Sequence, residues 1–236
     1  MGWMIDNPLF RVIGKILEVI GVSILWLILC IPIVTAGAST TALYYTVNKT
    51  IKNGRGYAIR GFFSAFISNF KQSTIVWLFF LVWLAILGVD CYYMYSFAVL
   101  GEKMGKWRIA VYVLTVLVIA WTLYVFPFIA RFKTSTKDVF KNTFFMAVAN
   151  APMTIVLTGL FAAYCYAIYR WTPLIIVLPA LYNVLKSIYI EKIFRKYMTE
   201  EQLQHEQELN GVVYDDSKEY GLLAKLKKNK KESDSN

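Results

Sequence analysis

Four runs of the chain contain no Asp, Glu, Lys or Arg: residues 19–48, 72–89, 109–130 and 142–169. A fifth, 171–185, continues past Lys186 to Ile190. A helix that crosses a hydrocarbon core of roughly 30 Å needs about 20 mostly apolar residues, because every backbone N–H and C=O must be bonded within its own segment. The composition agrees, with 58% hydrophobic and 17% aromatic residues and a mean hydropathy of +0.50, against roughly 45–50% apolar residues in a soluble domain. These runs predict an all-α, polytopic membrane helix bundle with spans near 17–34, 73–97, 107–129, 151–169 and 172–191. Residues 1–198 make up the bundle, and 199–236 form a polar, largely disordered tail.

The net charge of +10 is unevenly spread, because nine of the fifteen acids lie after Met198. The first 198 residues hold 19 Lys and Arg against 6 Asp and Glu. Such a balance in a soluble protein suggests nucleic acid, but here the basic residues lie between apolar runs, where they set topology. Segments 48–71, 130–146 and 186–196 together carry 13 Lys and Arg, and the N-terminus with segments 101–108 and 170 carries 6. The count predicts an N-terminus outside and a C-terminus in the cytoplasm. Ala36-Gly37-Ala38 after the first run resembles a signal cleavage site. Cleavage there would export Lys49, Lys52, Arg55, Arg60 and Lys71 against the positive-inside tendency.

Between the first two runs, Pro32, Gly37 and the hydroxyls of Thr35, Ser39 and Thr40 break one helix and start another. Pro removes a ladder donor, Gly admits unusual dihedrals, and Ser39 or Thr40 offers a cap. The new helix, roughly 40–53, is too short to cross, so it lies in the interface or folds back into the bundle. Next come Phe62, Phe63, Phe66 and Phe70 at spacings of three and four, an amphipathic lead-in to the second span. Asp138, Val139, Phe140, Phe144 and Phe145 precede the fourth span in a similar way. The pair suggests a weak internal repeat of helical hairpins with both lead-ins on the cytoplasmic surface.

Groups able to do chemistry are few. The single histidine, His205, lies in the acidic tail without a second metal ligand nearby, and no phosphate-binding loop, nucleophile elbow or H-E-x-x-H pair is present. Cys30, Cys91 and Cys165 show no paired spacing and read as small apolar packing residues. No catalytic, cofactor-binding or metal-binding residue is therefore expected. Asp90 is the one acid in the body of a span, which makes it a functional candidate, although its depth and its neighbours Tyr92, Tyr93 and Tyr95 fit an outer aromatic belt. Glu191 stands four residues before Arg195 and reads as a helix ion pair near the cytoplasmic face. Pro32, Thr35, Gly37, Ser39, Thr40 and Asp90 are the structural or functional candidates.

In its Asp6-Asn7-Pro8-Leu9-Phe10 segment, and above all from Pro32 through Thr35, Gly37, Ser39 and Ala42 to Tyr45, the chain resembles the YesL-like family of bacterial integral membrane proteins. The resemblance extends over about residues 1–197, with Phe62–Gln72 and Asn142 contributing. It implies a multi-pass protein of the bacterial plasma membrane whose domain has no assigned function. Genes of that family accompany carbohydrate ABC transporter components and glycan-degrading enzymes, which implies a role near sugar uptake. The expected function is thus non-catalytic, as an accessory or assembly partner of a membrane complex such as a carbohydrate ABC importer. The alternative is a small transporter or channel that uses the broken segment 32–41. Expected partners are the lipid bilayer and ABC transporter subunits or a second copy of the chain, with no nucleic acid and no cofactor.

Overall fold

The computed structural model describes residues 8–52, 57–101, 103–198, 200, 203 and 204, and these are almost all helical, without a strand. Expectations for the tail beyond 204, His205 and Asn53-Gly54 lie outside the described residues. The helices are α1 (Pro8–Cys30), α2 (Ala36–Thr46), α3 (Ala58–Val99), α4 (Arg108–Arg131), α5 (Thr136–Ala149), α6 (Ala151–Arg170) and α7 (Leu178–Tyr197). The chain divides into two compact units, Met1–Ile193 and Phe194–Asn236. The second unit begins within the last turn of α7.

Among the described residues, three helices are long and apolar enough to cross a membrane: α3, α4 with its leading 3₁₀ turn, and α6. The first expected span, 17–34, has other bounds in the structure. Its helix ends at Cys30, where Pro32 lacks the N–H that would continue the ladder, and a 3₁₀ turn at Ile33–Thr35 redirects the chain. α1 as a whole has 23 residues, and its charged residues Arg11, Lys15 and Glu18 all lie in its first half. The fifth expected span also starts late, because Thr172–Ile176 forms a 3₁₀ turn around Pro173 before α7 begins.

The short helix after Pro32 does fold back, but as α2 it starts at Ala36, so Ser39 and Thr40 lie within it and cap nothing. It is the most enclosed element. Gly37, Ala38, Ser39, Thr41, Ala42, Leu43, Tyr44 and Thr46 are all buried. Small side chains let neighbouring backbones approach, which is how helices associate where lipid removes the hydrophobic drive. The closest approach is to α3, where a Cβ on Gly37 would meet the Trp77 Cβ and lie 2.7 Å from the Ser73 carbonyl oxygen. Thr41 and Ser73 share a buried hydroxyl hydrogen bond of 2.9 Å. Past α2 the chain widens into a π-helix at Val47–Lys52.

The stretch 62–71 does not lie along the surface as a separate element. It forms the first part of a 42-residue α3, since no proline or capping residue interrupts it. Phe62 packs inward with Val22, Leu43, Val47, Ala58 and Ala65, whereas Phe63 and Phe70 of the same stripe stay exposed. The corresponding stretch before α6 is a distinct helix. Ser135 accepts from the Asp138 N–H and donates to the Asp138 carboxylate at 2.7 Å, a capping arrangement that starts α5. Asn150 and Pro152 end it and begin α6. Nor does α5 lie free on a surface. Phe140 meets Phe79 and Trp121 edge to face with ring centroids 4.8 and 5.9 Å apart, and Trp121 donates to Thr143. The two lead-ins are thus similar in sequence and different in structure.

Gly37→Ala should lower thermal stability in detergent by about 1–3 kcal/mol, the usual cost of overpacking, because the new methyl meets backbone and a Cβ that cannot swing away. Gly159→Ala on α6, with nothing within 4 Å of the added atom, should be neutral or gain up to about 1 kcal/mol from reduced chain entropy. Equal melting shifts for both would remove the close-approach account of α2.

Candidate buried polar site

The candidates around Pro32 are consumed by the turn itself. The Thr35 hydroxyl donates to the Leu29 and Pro32 carbonyls, and Thr40 donates to Ala36 O while accepting from Trp26 Nε1 at 3.3 Å. Pro32 is exposed at the turn, Gly37 is closed against Trp77, and Ser39 is buried beside the Cys30 thiol. These residues share one short segment, but their polar groups do not converge on a common point. Asp90 lies far along α3 from them and is exposed, beside the exposed Tyr92, Tyr93 and Tyr95.

Convergence occurs elsewhere, at Glu191 on α7. Its side chain is buried, with the residue 4% exposed. One carboxylate oxygen accepts from the Tyr44 hydroxyl at 2.9 Å and from the Asn48 amide at 2.8 Å, and the other lies 3.6 Å from Arg131 Nε. Tyr44 stands at the end of α2, Asn48 one turn later in the π-helix, and Arg131 at the last residue of α4. The π turn matters because such widened turns are rare and occur often at functional sites. Three elements thus converge on one carboxylate. A buried carboxylate is tolerated only when paired and hydrogen-bonded, as this one is.

On the same helix Lys186 is 3% exposed and lays its ammonium over the Tyr182 ring, 5.7 Å from the centroid. Tyr182 in turn stacks on Tyr164 of α6 at 4.6 Å. The Tyr182 hydroxyl and the Asn183 side-chain oxygen are buried without hydrogen bonds. With Ser187, also fully buried, these residues give α7 an inward polar face.

The Glu191 centre is absent from the sequence expectation, which read this residue as a helix ion pair with Arg195 near the cytoplasmic face. A signal was available. Lys186 and Glu191 both adjoin the fifth apolar run, and ionisable groups at membrane depth face the bundle interior and pair there. Applied to Asp90 alone, that rule selects the exposed acid and passes over the buried one. Tyr44 and Asn48 could not be singled out, since their partner is 143 or more residues away.

Chemically, the centre is an ion pair with neutral donors on one carboxylate oxygen. It has the character of a fastening. A family model described as a protein of unknown function, DUF624, matches residues 19–91, just under a third of the chain, and YesL-like proteins carry this domain. The match includes Tyr44 and Asn48 and stops short of Arg131 and Glu191. No curated protein and no solved structure matches the chain.

Removing one partner leaves a buried charge uncompensated. Glu191→Ala should therefore destabilise by about 3–5 kcal/mol, and Tyr44→Phe and Asn48→Ala by about 1.5–3 kcal/mol each, as hydrogen bonds to a charged group. A double-mutant cycle of Tyr44→Phe with Glu191→Ala, read by thermal unfolding in detergent, should show strong coupling. Simple additivity would show that the two side chains do not act together.

Proposed function

We propose that this chain, which carries the domain of the YesL-like proteins in residues 19–91, is a non-catalytic membrane protein that acts as an accessory or assembly partner of a membrane complex. The observation that carries this reading is the length of α3. At about 1.5 Å per residue, its 42 residues extend roughly 63 Å, about twice the hydrocarbon thickness. The charge-free part begins at Gln72, so the turns from Ala58 to Lys71 project past the membrane. Their outer surface is mixed, with Arg60, Ser64, Ser68 and Lys71 exposed beside Phe63, Ile67 and Phe70. A solvent-facing helix with no partner does not need such aromatic residues, and a docking surface commonly has them. Lys137, Lys141, Phe144 and Phe145 on α5 give a second exposed surface of the same kind.

The gene neighbours implied by the family resemblance make a carbohydrate ABC importer the first complex to test. A transporter built on 32–41 has weaker support, because the hydroxyls of Thr35, Thr40 and Thr41 are spent on internal hydrogen bonds. The inward polar face of α7 is the feature such a reading would have to use.

Ser64→Glu, Ser68→Glu and Lys141→Glu together change the exposed surfaces and leave the packed residues Phe62, Val139 and Met146 untouched. The triple variant should keep its melting temperature in detergent and lose at least most of the proteins that co-purify with the unmodified chain from native membranes. Unchanged co-purification would overturn the docking role.

A further inference from the structure

We infer that α1 and α2 form a re-entrant hairpin whose apolar tip, residues 31–34, is inserted into the bilayer hydrocarbon from the side that carries the α2–α3 connection. The N-terminus then lies on that same side. This reverses the outside N-terminus expected from the charge count, and it rests on the reading of the chain as a membrane protein.

The returning arm of the hairpin is too short to cross. The 11 residues of α2 extend about 16 Å at about 1.5 Å per residue, against roughly 30 Å of hydrocarbon. The two arms run antiparallel, paired by Trp26 with Thr40 and by the Leu29 carbonyl with Thr35. What joins them is apolar and uncovered. Ile31, Ile33 and Val34 are 77%, 64% and 48% exposed, and Pro32 is exposed with them.

An irregular turn at membrane depth must have its backbone groups satisfied by something other than water. This turn does. Thr35 donates its hydroxyl to the Leu29 and Pro32 carbonyls, Trp77 donates its indole N–H to the Ile33 carbonyl at 2.7 Å, and the Ile31 N–H bonds to Ile28 O. A water-exposed loop has no need of a tryptophan and a threonine to cap its carbonyls.

Trp77 also fixes the depth. It lies five residues inside the charge-free run that begins at Gln72, and its ring packs 6.0 Å from Phe126 in the charge-free run of α4. From Trp77 to the end of α3 at Val99 are 22 residues, roughly 33 Å of helix. The tip therefore sits in the leaflet near the α2–α3 connection and cannot emerge at the far surface. A chain that enters and leaves through the same leaflet returns its start to the side of its end. The basic residues Lys49, Lys52, Arg55 and Arg60 make that side cytoplasmic. Arg11 and Lys15, near the N-terminus, are compatible with the same side.

The test uses the full chain in liposomes with Cys30, Cys91 and Cys165 replaced by serine. A nitroxide is attached in turn at Ile33→Cys, Val34→Cys and, as a lipid-facing reference, Leu117→Cys, which is 61% exposed on α4. Oxygen accessibility at positions 33 and 34 should exceed accessibility to a water-soluble nickel chelate several-fold, as at 117. Short epitopes at the N-terminus and between Gly54 and Arg55 should be cut by protease from the same face of sealed vesicles. A water-accessible tip with a lipid-like Leu117 position, or epitopes on opposite faces, would overturn the hairpin while leaving the membrane reading intact. Water access at Leu117 as well would overturn both.

Discussion

Because α2 carries Gly37, Ala38, Ser39, Thr41 and Ala42, two neighbouring helices can press against its backbone, and the placement of α1 and α3 follows from that approach. Small residues in lipid do what large apolar ones do in water. There is little gain in hiding a leucine from hydrocarbon, so association depends on close contact and on polar groups that find each other. The hydroxyls on α2 meet the second need. Thr40, Thr41 and Thr46 each bond a carbonyl one turn back, so their polarity is neutralised within the helix, and Thr41 also reaches Ser73.

The Glu191 centre completes this arrangement at the other end of α2. Where small residues allow approach, the carboxylate adds direction, because only one register of α2, α4 and α7 brings Tyr44, Asn48 and Arg131 to the same two oxygens. Apolar packing alone tolerates sliding by a turn. A buried charge does not, since any other register leaves it unpaired at a cost of several kcal/mol.

Composition decided what was legible in the sequence. The spans near 73–97, 107–129 and 151–169 correspond to α3, α4 and α6, because a run without charge has few alternatives in a chain this apolar. The run 19–48 was ambiguous for the same reason. Thirty uncharged residues are compatible with one span and a loop or with two short arms, and only the capped carbonyls of the turn distinguish them. The phenylalanine stripe at 62–70 was visible as periodicity, yet periodicity does not say that Phe62 faces a core while Phe63 faces out. The Glu191 centre joins residues 60 to 147 positions apart, and no local pattern records such a meeting.

The outer part of the α3–α4 hairpin differs from the rest. Between Leu87 and Val118, Gly105 alone is buried among the described residues. Two helices that touch little but each other have no neighbour within the chain to hold their inclination, which leaves it to the surrounding lipid. Tilt there follows hydrophobic mismatch, with a thicker bilayer drawing the pair upright and a thinner one laying it over at a fraction of a kcal/mol per Å. The inner end, bound to α2 and α5, cannot follow. One end of α3 is therefore anchored to the fold and the other to the thickness of the membrane around it.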